Sequence, residues 1–248
     1  MDLHVFAVHG IPEVTRDADL AGLIGDAVGR ERRPVNGGDV FVVAQKVVSK
    51  SEGAIVRLDE VAPSPMAAKW ATEHGKDARI VEVIFRESRR IVRMDRDILI
   101  TETHHGFVCA NAGVDASNVA PGFVTVLPRD PDASAERLRV ALCAAFACPV
   151  AVIVSDTFGR PWREGVVNVA LGVAGLQPLL DYRGSADSFG RPLTSTVVAL
   201  ADEVASAAEI VTRKAAGTPV AIVRGAAEWT GTGDGRLLVR DAQRDLFR

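Results

Sequence analysis

Cysteine is scarce in this 248-residue chain: Cys109, Cys143 and Cys148 are odd in number and form no CxxC pair. A disulfide framework or zinc knuckle is not expected, and a reducing cytoplasm suits such usage. Excess positive charge is missing too, with 29 Lys and Arg against 32 Asp and Glu, a formal −3. That balance argues against nucleic-acid binding, which rests on clustered cations meeting phosphates. The most apolar stretch, residues 140–154, contains Pro149 and falls short of the ~20 residues a spanning helix needs. Residues 1–8 include acidic Asp2 and lack the basic-then-apolar order of an export signal. The chain therefore reads as soluble and cytoplasmic, with no membrane partner.

Repeats, low-complexity tracts and long linkers are also lacking. Charged residues make up 25% and hydrophobic ones 48%, ordinary globular usage. Residues 1–248 are read as a single catalytic domain with room for two subdomains. Among chemical motifs, no GxxxxGK[ST] phosphate loop occurs, and Gly231-Thr232-Gly233-Asp234-Gly235 does not complete a GxGxxG fingerprint. HExxH and GxSxG are missing, which leaves zinc-peptidase and serine-hydrolase readings without an anchor.

What is present is a mixture of short strands and helices. Strands are expected at 5–8, 40–43, 90–94, 98–101, 124–127, 150–154 and 220–223. Helices are expected at 65–74, 78–85, 134–146 with Ser134 as N-cap, and roughly 196–214. The β-branched run 150–154 is the pattern of a strand covered on both faces. No regular βαβ rhythm appears, so the expected class is α+β: mixed, largely antiparallel sheets with packed helices.

Three constellations carry chemistry. Gln45, Lys46, Ser49 and Lys50 follow the 40–43 strand, where lysines can act as point charges on phosphate oxygens; a solvated lysine rim is the plainer alternative. A polar loop then holds Asn111, Asp115 and Asn118, oxygen donors suited to Mg²⁺ or Mn²⁺, or else simple Asx-turn formers. The adjacent His104 and His105 are not expected to chelate together, since neighbours on a strand face opposite ways. Finally, Ser155-Asp156-Thr157 is expected at the carboxyl end of a buried strand, followed by Arg160 and Arg163. Asp156 and Thr157 can hold a cation while the arginines offset phosphate charge; a turn-capping Asp with surface arginines is the alternative.

Gly10-Ile11-Pro12-Glu13, Lys46 to Lys50 with Glu52-Gly53, Ala110 to Asn118, and Ser155 to Arg163 occur in that order. Together these blocks resemble the coenzyme F420-0:γ-glutamyl ligase family, over nearly the whole chain as far as Val223-Arg224-Gly225. The resemblance implies a GTP-dependent amide ligase that adds L-glutamate to F420-0 through an acyl phosphate, working as an intertwined homodimer. It further implies GTP contacts from Ile11, Pro12, Glu13, Val14, Lys50 and Asn118, with Gln45 at a position where some relatives carry Ser. Asp115, Asp156 and Thr157 would hold Mg²⁺ or Mn²⁺, with K⁺ as an additional cation. Lys50 and Arg160 would act catalytically by offsetting charge that grows during phosphoryl transfer. Residues 164–168, Glu-Gly-Val-Val-Asn, depart from the Asn-Gly-Gln-Thr-Asp of some bacterial relatives, and the nitroreductase-like domain fused to some relatives is not expected here. Two other readings stay open: a nucleotide- or F420-binding module without catalysis, and a metal-dependent phosphohydrolase using the same acids.

Overall fold

The computed structural model describes residues 2–214 and 216–246. In chain order the elements are β1 (His4–Ala7), α1 (Leu20–Arg30), β2 (Val40–Ala44), α2 (Gln45–Ser51), β3 (Ile55–Arg57), α3 (Pro65–His74) and α4 (Ala78–Arg86). There follow β4 (Ser88–Asp95), β5 (Ile98–Thr103), β6 (Val108–Ala110), β7 (Phe123–Thr125) and α5 (Pro131–Phe146). The remainder comprises β8 (Ala151–Gly159), β9 (Val166–Ala174), β10 (Leu180–Asp181), β11 (Val197–Val198), α6 (Leu200–Thr212) and β12 (Val220–Arg224).

A five-stranded sheet in the order β1-β12-β2-β8-β9 organises the molecule. β2 and β8 run parallel, and the other pairs in the sheet are antiparallel. Alternation along each strand sends side chains to two cores. Phe41, Val43, Val152 and Val154 pack with α1 and α5 on one face. Val40, Val42, Ile153 and Ala221 pack with Leu200, Val204 and Ala208 of α6 on the other. The 150–154 run is thus covered on both sides, and the α+β expectation with largely antiparallel pairing holds. A second region, built from β3–β7, β4–β5–β6, α3 and α4, has its own smaller clusters around Trp70, Leu99, Val83 and Val124.

Several boundaries differ from the sequence reading, each for a local reason. The 45–51 segment is helix α2, not an irregular strand exit, because Val48 and Ser49 turn inward while Ser49 Oγ donates to Val126 O at 2.6 Å. Helix α5 begins three residues before Ser134: Asp130 caps it by accepting from Ala133 N at 3.1 Å, and Pro131 supplies the first turn. Its far end closes at Ala147 in the left-handed region. Helix α6 starts at Leu200 rather than 196 and stops at Thr212, where Arg213 adopts φ 52°. β8 does not end at Val154 but continues to Gly159, pairing with β9 along that length. The packing of α5 on β9 is close: a Cβ on Gly172 would lie 2.1 Å from Pro131 O, so only glycine fits.

Candidate active-site cleft

The parallel pair β2–β8 ends in a cleft of about 370 Å³. β2 leads directly into α2, which carries Lys46 and Lys50 over the cleft, while β8 runs on beneath it with Ser155, Asp156 and Thr157. The loop after β1 brings Ile11, Pro12, Glu13 and Val14 to the same opening, and the turn beyond β6 brings Asp115 and Asn118. Every residue expected to contact nucleotide or metal therefore lines one cavity, Gln45 included. Arg160 is not among the lining residues; it sits past the end of β8 and donates through Nη2 to Glu164 O at 2.6 Å.

The loop after β1 is held from behind by the end of α1. Arg30 Nη2 donates to Gly10 O at 2.7 Å, and Glu31 Oε1 accepts from His9 N at 2.7 Å. Gly10 has φ 75°, a conformation few other residues adopt. Lys50 is only 6% exposed, and its ammonium meets the Glu13 carboxylate at the cleft edge. Gln45 is buried, with its amide donating to Val126 O at 3.2 Å and to Ser49.

Asp115 and Asp156 face a common space. Lys46 Nζ reaches Asp115 Oδ2 at 2.6 Å and also Ser117 O and Oγ at 2.8 and 2.6 Å. Asp115 Oδ1 accepts from Ser117 N at 2.6 Å, so an Asx turn and a cleft-facing carboxylate coexist. Burial raises the Asp115 pKa, but the Lys46 and Ser117 hydrogen bonds outweigh it and the net direction is down. Asp156 behaves oppositely. Burial pushes it up to about 6; the Thr157 backbone N–H and Lys214 pull against that, and the Asp115 charge adds to the rise.

Behind Asp156 runs a polar chain. Lys214 Nζ donates to Thr157 Oγ1 at 3.1 Å, Thr157 Oγ1 donates to Asn168 Oδ1 at 2.9 Å, and Asn168 Nδ2 donates to Glu209 Oε2 at 2.9 Å. Lys46, Asn168, Glu209 and Lys214 all line the cleft; Lys46 stood out in the sequence and Asn168 ended the departing 164–168 segment, but nothing marked Glu209 or Lys214 as cleft residues. Asn168 is directly opposite Thr157 in the β8–β9 register, a pairing visible only once β9 is known to be a strand. His104 and His105 lie in the turn after β5 and diverge, toward Arg86 O at 2.9 Å and Pro128 O at 2.9 Å respectively. Cys109, buried beside this acidic ground, is pushed up to about 12 by burial and by the Asp156 charge, so its thiol stays protonated.

The donor set fits a hard divalent cation. Asp156 is a deeply desolvated carboxylate beside a second one, an arrangement that a bound cation relieves. All three side chains offer oxygen, and no cluster of three or more His, Cys, Asp or Glu suited to metal occurs among the described residues. Two carboxylates and a hydroxyl match the style of Mg²⁺ sites, where water and substrate phosphates complete the shell. Among the described residues no helix is long and apolar enough to cross a membrane.

Comparison with known proteins points to one family. Residues 10–225 match the family model described as F420-0:Gamma-glutamyl ligase. The coenzyme F420:L-glutamate ligase of Methanothermobacter thermautotrophicus is 46% identical, the match covering 100% of both chains. That of Methanopyrus kandleri is 50% identical over 93% of this chain and 91% of its own. The Archaeoglobus fulgidus protein of the same description is 39% identical over 100% and 97%.

Proposed function

The chain belongs to the F420-0:γ-glutamyl ligase family and is a ligase, and from that premise we propose that it joins L-glutamate to coenzyme F420-0 with GTP as the phosphoryl donor. The observation supporting this most strongly is that the loop after β1, the lysines of α2 and the acids Asp115 and Asp156 line one cleft.

A free carboxylate is a poor acyl donor because oxide is a poor leaving group. In the proposed reaction the F420-0 carboxylate takes the γ-phosphoryl group of GTP, giving GDP and an acyl phosphate. The glutamate amine then attacks the carbonyl carbon, inorganic phosphate departs, and a proton leaves the new amide nitrogen. Phosphoryl transfer depends mainly on positioning and charge neutralisation. Asp115, Asp156 and Thr157 would hold a divalent cation, Mg²⁺ or Mn²⁺, which would supply positive charge to offset the phosphates; K⁺ is proposed as an accessory cation. Lys50, drawn from Glu13 to the phosphates, lends a buried point charge, and Lys46 and Lys214 flank the same space. No side-chain nucleophile is required, in keeping with the protonated Cys109.

Subunit pairing is part of the proposal. The excursion from β10 to β11 carries Phe189 at 86% exposure, a large apolar side chain that a second copy would cover in a homodimer; light scattering at micromolar concentration tests it. Action in the cytoplasm is proposed on the free thiols Cys109, Cys143 and Cys148.

Incubating the full chain with GTP, Mn²⁺, L-glutamate and F420-0 tests the function. The expected result is a product heavier by one glutamyl residue, with one GDP and one phosphate per amide formed. GTP cleavage indifferent to glutamate and F420-0 would overturn it.

A further inference from the structure

The hairpin that carries Asp156 does not stop at the cleft. β8 runs three residues past Asp156 to Gly159, and the loop joining it to β9 contains Arg160, Pro161, Trp162, Arg163 and Glu164. Trp162 is 80% exposed, whereas Trp70 is 7% exposed and lies in a core cluster. Its backbone has φ 58°, a region that bulky residues rarely enter and that tends to occur where a ligand or partner is met. The arginines on either side are unusual for this protein, in which most arginines meet carboxylates. Arg160 donates instead to a backbone carbonyl and keeps a buried Nε with no acceptor. Arg163 is exposed. Among the described residues neither takes part in an ion pair.

We propose that Trp162, with Arg160 and Arg163, is the platform that recognises the deazaflavin and phosphodiester of F420-0, a specificity site distinct from the nucleotide-and-metal cleft. This rests on the ligase function proposed above. The flat ring of F420-0 is tied through a polyol and a phosphodiester to the reacting carboxylate. The link is about ten bonds, roughly 12 Å when extended. From Asp156 to Gly159 the strand advances about 10 Å, and the loop carries Trp162 further. A substrate whose carboxylate lies at Asp156 thus brings its ring to the hairpin tip, with the phosphodiester in between. An exposed indole offers a stacking face for a planar heterocycle, and guanidinium groups match phosphate oxygens in pairs.

The test uses the full chain with Trp162→Ala, Trp162→Phe and Arg163→Ala. Equilibrium dialysis of F420-0 without GTP, followed by the absorbance of its own ring, gives binding, and steady-state turnover gives KM for each substrate. Trp162→Ala is expected to raise both the F420-0 dissociation constant and its KM about tenfold or more, leaving KM for GTP within twofold. Trp162→Phe should recover most of the loss, and Arg163→Ala should weaken F420-0 binding in a salt-dependent way. A truncated acceptor lacking the ring should be indifferent to Trp162→Ala. The proposal is overturned if F420-0 binding is unchanged, if KM for GTP rises instead because guanine stacks there, or if light scattering shows Trp162→Ala to dissociate an oligomer. Should the wild type add no glutamate, the ligase reading fails separately, and the dialysis series still decides whether Trp162 binds the deazaflavin.

Discussion

Asp156 is a carboxylate placed where its charge is costly. Its pKa stands near 6 in the folded chain, above the unfolded range, so the folded state binds the proton more tightly. The associated stability is present below about pH 4 and lost as pH rises through about 6. A rise of this size corresponds to at most about 3 kcal/mol of destabilisation in the metal-free protein. Asp156→Asn should therefore melt higher than wild type at pH 8 in chelator, with the gap closing toward pH 4 in thermal scans, while calorimetry shows Mn²⁺ binding lost. In the wild type, protons compete with the cation, so Mn²⁺ affinity should fall about tenfold per pH unit below 6; a flat profile from pH 7 to 5 would contradict the assignment. Lys50 and Glu13 make a second residue-scale test. Lys50→Met preserves the buried stem and removes the charge, and should weaken GDP binding about tenfold or more in equilibrium dialysis. Glu13→Gln should strengthen it, since Lys50 no longer has a competing anion.

Between residues and domains, the elements show where local sequence speaks and where it is overruled. The β-branched runs of β2, β8 and β12 were legible because both faces of those strands are dry, and α3 was legible between Pro65 and the closing Gly75, with Ser64 found as its cap only in the structure. Helix α1 was hidden by Gly22, Gly25 and Gly29, which lower helix propensity; its stability comes from burying Leu20, Ile24, Ala27 and Val28. The second half of β8 was not read as strand because Ser155, Asp156 and Thr157 are polar, as suits a stretch that lines the cleft. The contact between α5 and β9 gives the element-scale prediction. Asp132 Oδ1 accepts from Val173 N at 2.9 Å and Gly235 N at 2.7 Å, pinning the start of α5 against β9. Gly172→Ala, with its Cβ against Pro131 O, cannot be relieved by a small retreat and should cost about 1–3 kcal/mol in denaturant melts.

Over the whole molecule, the cleft draws on positions from Ile11 to Pro219. No spacing rule joins these; the sheet order β1-β12-β2-β8-β9 does, by placing the ends of β2 and β8 side by side. Ordered motif blocks named most of the residues that line the cleft, but not Glu209 or Lys214, nor that Asn168 pairs with Thr157 or that Arg160 lies beyond the cleft. Because the nucleotide would touch segments from both ends of the chain, ligand should stabilise the fold as a unit. GTP with Mg²⁺ at a hundred times its dissociation constant should add about 2.7 kcal/mol, seen as one cooperative upward shift of the melting curve; a shift confined to part of a biphasic transition would show the regions to be uncoupled.

Strand β8 divides at Ser155, with Val152 to Val154 wholly enclosed and Ser155 to Thr157 facing the cleft. Errors introduced along this one segment will thus fail in two different ways. Upstream of the divide they should deplete the amount of protein recovered; downstream they should leave yield intact and silence the enzyme. A saturation library scored separately for abundance and for product would show the crossover within a single residue step.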